Sequence, residues 1–275
     1  MNRTKIIIAL FVSLVAISCK KYLDIVPDNT LKLENIFNTR ENAWEALAKV
    51  YSYMPQDDKV HLTSWTLGDE WVGRLDLNNN TGDLRAMRIM RGLQTESDPQ
   101  LGLWSGTQGG KKLYEAIRQA DVFLTNIDQV KDMTETELKD WKAQVKMLKA
   151  HYMFLLIERY GPIVIPTVTA SAESEKEELF IPRSKVEDCF NYVINLMNEA
   201  IPDLKEKANA TELGQIDQVV AKAIKAKILF YRASPFFNGN QEYFGDFLDH
   251  DGQPFFPYNM TKKNGKPLLM LLTKR

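Results

Sequence analysis

From Thr134 to Pro162 the chain reads TETELKDWKAQVKMLKAHYMFLLIERYGP, and Leu138, Trp141, Val145, Leu148, Tyr152 and Leu155 recur at alternating spacings of three and four. That period places them on one stripe of an α-helix. Thr134 and Glu137 have the spacing of a capping box, and Gly161-Pro162 supplies the stop. A single helix of this length is marginal in water, so its stripe must be covered by other helices. This stretch therefore commits the chain to a packed, mainly helical architecture.

Other segments agree. Thr39 is a plausible N-cap for TRENAWEALAKVYSYM, where Ala43, Leu47, Val50, Tyr51 and Met54 share a stripe that Pro55 stops. In KKLYEAIRQADVFLTNID, Leu113, Ile117, Ala120, Leu124 and Ile127 fall on one face. IPRSKVEDCFNYVINLMNEAI opens with a second capping-box spacing, Ser184 to Glu187, and carries Val186, Phe190, Val193, Met197 and Ala200. DQVVAKAIKAKILFYRA aligns Val220, Ile224, Ile228 and Tyr231 before SPFFNG. Strand-like alternation of comparable strength is missing. The expected fold is all-α, with helices in antiparallel pairs and no strict 34-residue repeat. Trp44 and Trp141 lie in helical stripes and are expected in the core, as is Trp104 at the opening of the second helix.

Residues 55–104 break this order. Glycines 68, 73, 82, 92 and 102 and the run Asn78 to Asn80 interrupt any long period. So long an irregular insertion in a helical chain is unusual and often functional. SAESEKEE at 171–178 reads as a solvated loop, and the apolar run in KKNGKPLLMLLTKR reads as a chain cut short.

The beginning of the sequence has a different logic. Arg3 and Lys5 precede a twelve-residue stretch, Ile6 to Ile17, that is apolar except for Ser13. This is too short for a bilayer span of about 20 residues but fits a secretory signal. It runs through Ser18 into Cys19, a thiol suited to thioether acylation, followed by Lys20 and Lys21. The expectation is a lipoprotein signal over residues 1–18, with Cys19 becoming the lipidated first residue. Removing 1–18 takes away Arg3 and Lys5 and no acid, leaving 33 basic against 36 acidic side chains. So balanced a charge argues against nucleic acid as a partner. With Cys19 acylated, Cys189 has no thiol to pair with and reads as a small buried residue.

Taken in order, the lipobox-like cysteine, YLDIVPDNT, ENAWEALAKVY, KLYEAIRQADVFLTNID, KMLKAHYMFLLIERYGPIVIP and VAKAIKAKILFYRASPFFNG resemble the N-terminal half of a SusD/RagB-type protein. These are nutrient-binding outer-membrane lipoproteins of Bacteroidetes. The resemblance covers roughly residues 19 to 240, within an N-terminal helical domain at 19–275; the expectation is a truncated chain that lacks the C-terminal half of such proteins. It implies degenerate tetratricopeptide-like helix pairs and no cofactor. It also implies capture of an oligosaccharide or peptide for a SusC-like TonB-dependent transporter, with a lipid anchor holding the protein to the membrane. In the family, ligand contacts come partly from the loop between the first two helices, here residues 55–104.

Within that loop, SWTLGDEWVGRLDLNNN is the segment richest in sugar-binding side chains. Trp65 and Trp71 are flat indoles able to stack on the C–H face of a sugar ring. Asp69, Glu70, Arg74, Asp76 and Asn78 to Asn80 offer donors and acceptors to its hydroxyls. The competing possibility is that the two tryptophans plug the gap between helix ends. A purely interacting helical scaffold is the alternative function. A secreted glycoside hydrolase using Asp69, Glu70 and Asp76 is a weaker one, because loop spacing does not set the carboxylate separation such enzymes need. His61, His151 and His250 are scattered without a zinc spacing, and SGTQGGKK lacks the first glycine and the Ser/Thr of a phosphate loop.

Overall fold

The structure, a computed structural model, describes residues 37–56, 85–166, 179–262, 264 and 265. Its helices are α1 (Arg40–Tyr51), α2 (Arg85–Met90), α3 (Leu113–Asn126), α4 (Glu135–Tyr160), α5 (Val186–Ala200), α6 (Gln218–Ala233) and α7 (Gln241–Phe244), with short 3-10 turns between them. Among the described residues the only strand-type pairing is one isolated bridge, Leu248 with Pro254. The all-α class expected from the stripes is what forms.

Side-chain contacts fix the helix directions. Lys142 reaches Asp128 and Lys149 reaches Asp121, so α4 runs antiparallel to α3. Lys146 pairs with Glu199 near one end of α5, while the Cys189 thiol donates to the Ile163 carbonyl just past α4, so these two are antiparallel as well. Lys225 with Asn198 and Arg232 with Asn191 give the same result for α5 and α6. Helix α1 lies antiparallel to α3, through Phe37 with Phe123 and Tyr53 with Glu115, and hence parallel to α4. Tyr51 donates to Gln144 and Tyr152 donates to the Val50 carbonyl across that parallel contact.

Helix α4 is the centre of this packing. Its expected stripe is shielded, with Trp141, Val145, Leu148 and Tyr152 buried and Leu138 and Leu155 partly so, but Ala143, Met147, Ala150, Met153, Phe154 and Ile157 are buried too. The reason is that α1, α3, α5 and α6 all pack on it. Each fully buried large apolar side chain there stabilises by roughly 1.5–3 kcal/mol.

Caps explain where the helices start. The Thr39 hydroxyl accepts from the Asn42 N–H, and the Thr134 hydroxyl accepts from the Glu137 N–H, as expected. The Glu137 carboxylate holds Arg40 of α1, tying two helix starts together. At α5 the expected capping box does not form. Val186 opens the helix, Lys185 precedes it without a side-chain cap bond, and the Ser184 N–H is spent on the Ile163 carbonyl. Glu187 pairs instead with Arg232 of α6. Helix α6 starts on Asp217, whose carboxylate accepts from Val220 and Ala208 N–H groups.

Three further expectations are corrected. Trp44 is 41 % exposed, because α1 packs through Ala43, Leu47 and Val50 and leaves the indole leaning on buried Trp141 at 5.4 Å. Helix α1 ends at Tyr51, before Pro55, where the Ser52 N–H closes back on Ala48 and Lys49. Val220 is exposed, because α6 turns Ala221, Ile228, Leu229 and Arg232 inward. Cys189 is buried as expected, and burial pushes its thiol up to about 11.

Candidate functional site

Six side chains singled out in the sequence, Trp65, Asp69, Trp71, Arg74, Asp76 and Asn78, lie outside the described residues, and so do Glu70 and Cys19. What the structure places is the return of that insertion, residues 85–104, and the turn that follows it up to residue 112. Part of it, α2, is helical, although the sequence reads it as irregular.

Between Leu101 and Leu113 the backbone ties itself into a tight knot. Leu101 N–H donates to Gln108, Gly102 N–H to Thr107, Gly106 N–H to Gly102, and Leu113 N–H to Leu103. The glycines are dictated by space: a Cβ on Gly110 would sit 2.1 Å from the Gly102 oxygen. Two residues with side chains, Leu101 (φ 50°) and Gln108 (φ 49°), occupy the left-handed region. Each costs on the order of 1–2 kcal/mol, so surrounding contacts must hold the knot in place.

Those contacts come from the ends of α3 and α4. The Tyr160 hydroxyl accepts from the Leu103 and Trp104 N–H groups at 2.9 and 3.3 Å. The Trp104 ring lies 4.6 Å from Tyr114 and 5.6 Å, edge to face, from Tyr160. Tyr114 is locked in turn, its hydroxyl accepting from Val164 N–H and donating to the Val164 carbonyl. Burial raises its pKa, opposed first by the Val164 backbone hydrogen bond and, least, by the Arg183 charge. The Arg183 guanidinium stands over the Trp104 ring, 5.3 Å from its centroid. Contrary to expectation, Trp104 does not open a helix; α3 begins at Leu113 and the indole is only partly buried against the core.

The rim is polar. Arg88 pairs with Asp98, which also accepts from the Gln108 side chain. Gln100 is 4 % exposed, and its side-chain oxygen has no partner. Lys111 donates to the Ser52 carbonyl at the end of α1. Tyr53 donates to Glu115 at 2.6 Å, and its own pKa is pushed up to about 12, by burial first and then by that carboxylate. The arrangement is a braced cluster of aromatic and cationic side chains where the start of α3 meets the end of α4.

Among the described residues no group of three His, Cys, Asp or Glu side chains gathers as a metal site would, and no helix is long and apolar enough to cross a membrane. Nothing in the sequence periodicity links Trp104 to Arg183, because the insertion and the α4–α5 connection meet only in the tertiary fold.

A family model described as starch-binding associating with outer membrane matches residues 21–230. The chain belongs to this SusD-like family. Among solved structures, SusD-like relatives share its fold. The protein BT4246 superposes with a TM-score of 0.70 at 22 % identity, over 85 % of this chain and 39 % of that one. A laminarin binding SusD-like protein gives 0.60 at 19 % identity, over 74 % and 45 %. Surface glycan-binding protein A from Bacteroides uniformis gives 0.56 at 20 % identity, over 70 % and 42 %. The matched region thus spans less than half the length of these SusD-like chains. No curated protein matches the sequence.

Proposed function

We propose that this chain belongs to a lipid-anchored outer-membrane protein that captures an oligosaccharide, or alternatively a peptide, and delivers it to a SusC-like TonB-dependent transporter, with no chemistry of its own. The observation that carries the proposal is the family match over residues 21–230, which includes the whole insertion at 55–104. The glycan and laminarin names of similar structures support a sugar ligand. In this proposal residues 1–18 are the removed signal and Cys19 carries the lipid. The antiparallel pairs form a degenerate tetratricopeptide-like scaffold, and Trp65 and Trp71 are stacking platforms beside Asp69, Arg74, Asp76 and Asn78.

Calorimetry of the mature chain against neutral and charged oligosaccharides tests the ligand. Binding that is lost in the Trp65→Ala, Trp71→Ala double variant, with transporter pull-down intact, supports capture. A folded chain that binds no glycan or peptide overturns it. Incorporation of labelled palmitate that disappears in Cys19→Ala tests the anchor. The scaffold alternative draws on three exposed aromatic side chains on α6 and beyond it, Phe230, Phe236 and Tyr243. It predicts transporter pull-down that fails when these three are changed to serine, in a chain that binds no glycan.

A further inference from the structure

We propose that Arg183 is an oxyanion-recognition group and that the ligand captured here is an anionic glycan, one bearing carboxylate or sulfate groups. This rests on the glycan-binding proposal above and names the chemical class of its ligand.

Among the described residues the guanidinium is in contact with an aromatic ring and with no neutralising acid. Its contact with Trp104 is through a ring face, 5.3 Å from the centroid. A cation–π contact of that kind leaves the guanidinium its charge and its N–H groups, whose fork matches an oxyanion. Among the described residues no carboxylate lies within ion-pairing distance of Arg183, whereas Arg40, Arg88 and Arg232 are each paired, with Glu137, Asp98 and Glu187. Lys111, on the same knot, also rests on a backbone carbonyl and no described carboxylate.

The platform beneath is rigid for reasons already given. Tyr160 fixes the backbone at Leu103 and Trp104, Tyr114 fixes the indole, and Val164 fixes Tyr114. A cation held on so preorganised a support loses little freedom when it binds an anion.

The test is calorimetry of the mature chain with three probes: an oligogalacturonate, a sulfated dextran oligosaccharide and a neutral malto-oligosaccharide. The expected result is an anionic probe preferred by roughly tenfold or more at low salt, the size of a charge-assisted hydrogen-bonded contact. Arg183→Gln removes the preference, Arg183→Lys keeps part of it, and neutral binding changes by no more than about twofold. The two anionic arms say whether carboxylate or sulfate is the better fit. Should Arg183→Gln unfold, Arg183→Lys and the salt dependence of the wild-type chain decide instead, since loss of preference as salt rises is required. Equal affinity for neutral and anionic probes, or a preference that survives at Gln, overturns the proposal while leaving glycan capture intact. No binding of any probe overturns the anionic-glycan proposal and leaves capture to be decided by the wider glycan and peptide calorimetry.

Discussion

Lys149 of α4 places its ammonium 2.5 Å from the Asp121 carboxylate of α3, and the two side chains are only 6 % and 18 % exposed. The same ammonium stands 5.6 Å from the centroid of Tyr192 on α5, so one charge pair joins three helices. Removing one partner from a shielded pair leaves an uncompensated charge, at a cost of about 3–5 kcal/mol. Asp121→Ala is expected to lower stability by that amount in urea unfolding, whereas Asp121→Leu with Lys149→Met recovers most of it. Burial opposes charging of Lys149, but the Asp121 hydrogen bond and charge outweigh it, so its pKa lies above the ordinary 10.5. A folded-state pKa above the unfolded value means the stabilisation is complete below pH 10.5 and fades as pH rises beyond it. Alkaline titration of the unfolding midpoint checks this, with Lys149→Met showing a flatter profile.

His151 has the opposite linkage. Burial, with help from the Lys227 charge, lowers its pKa from 6.5 to about 4, and its Nδ1 has no partner. The unfolded chain then binds a proton that the folded chain refuses. Stability is therefore greatest above pH 6.5 and falls as pH drops from 6.5 toward about 4, by up to roughly 3 kcal/mol. His151→Gln is expected to remove this part of the slope in urea midpoints measured from pH 7 to pH 4.

The helices were legible because their apolar spacing is set by the same packing that buries them. Val186, Phe190, Val193, Met197 and Ala200 are all buried, as their period requires. What the period does not carry is how many neighbours a helix has. Helix α4 has partners on every side, so its apolar stripe is only part of what it buries. Ser184 and Glu187 match a capping box in spacing alone, and tertiary partners, Ile163 and Arg232, claim their groups first. The site was legible to a lesser degree. The insertion was marked by its glycines, yet the contact of Trp104 with Arg183 joins two connections that are distant in sequence and share no periodic signal.

Gly161 ends α4 with φ 69°, and a Cβ there would approach Phe256 Cζ to 2.8 Å. Phe256 in turn stacks on Phe244 at 3.9 Å, so the aromatic cluster after α6 is seated against this glycine. Gly161→Ala adds both a left-handed residue with a side chain and a steric conflict. A loss of about 1–3 kcal/mol is expected. Near-ultraviolet circular dichroism should show the aromatic signal weakening together with the lowered unfolding midpoint, whereas a purely local effect would leave the spectrum unchanged.

The last prediction concerns the knot itself. Tyr160→Phe keeps the ring against Trp104 but removes the acceptor of two backbone N–H groups, Leu103 and Trp104. Leu103 is buried, so water does not readily replace that bond, and the expected cost is about 1–3 kcal/mol. Gly110→Ala attacks the same knot from the other side, through its clash with the Gly102 oxygen. If one cooperative unit holds Leu101 and Gln108 in their strained conformations, the two substitutions should not add. Once Gly110→Ala has opened the knot, Tyr160→Phe should cost little more, giving a coupling energy of at least about 1 kcal/mol in a double-mutant cycle. Strict additivity would mean that the tyrosine and the glycines act on separate structures, and that the Trp104 platform is held by its ring contacts alone.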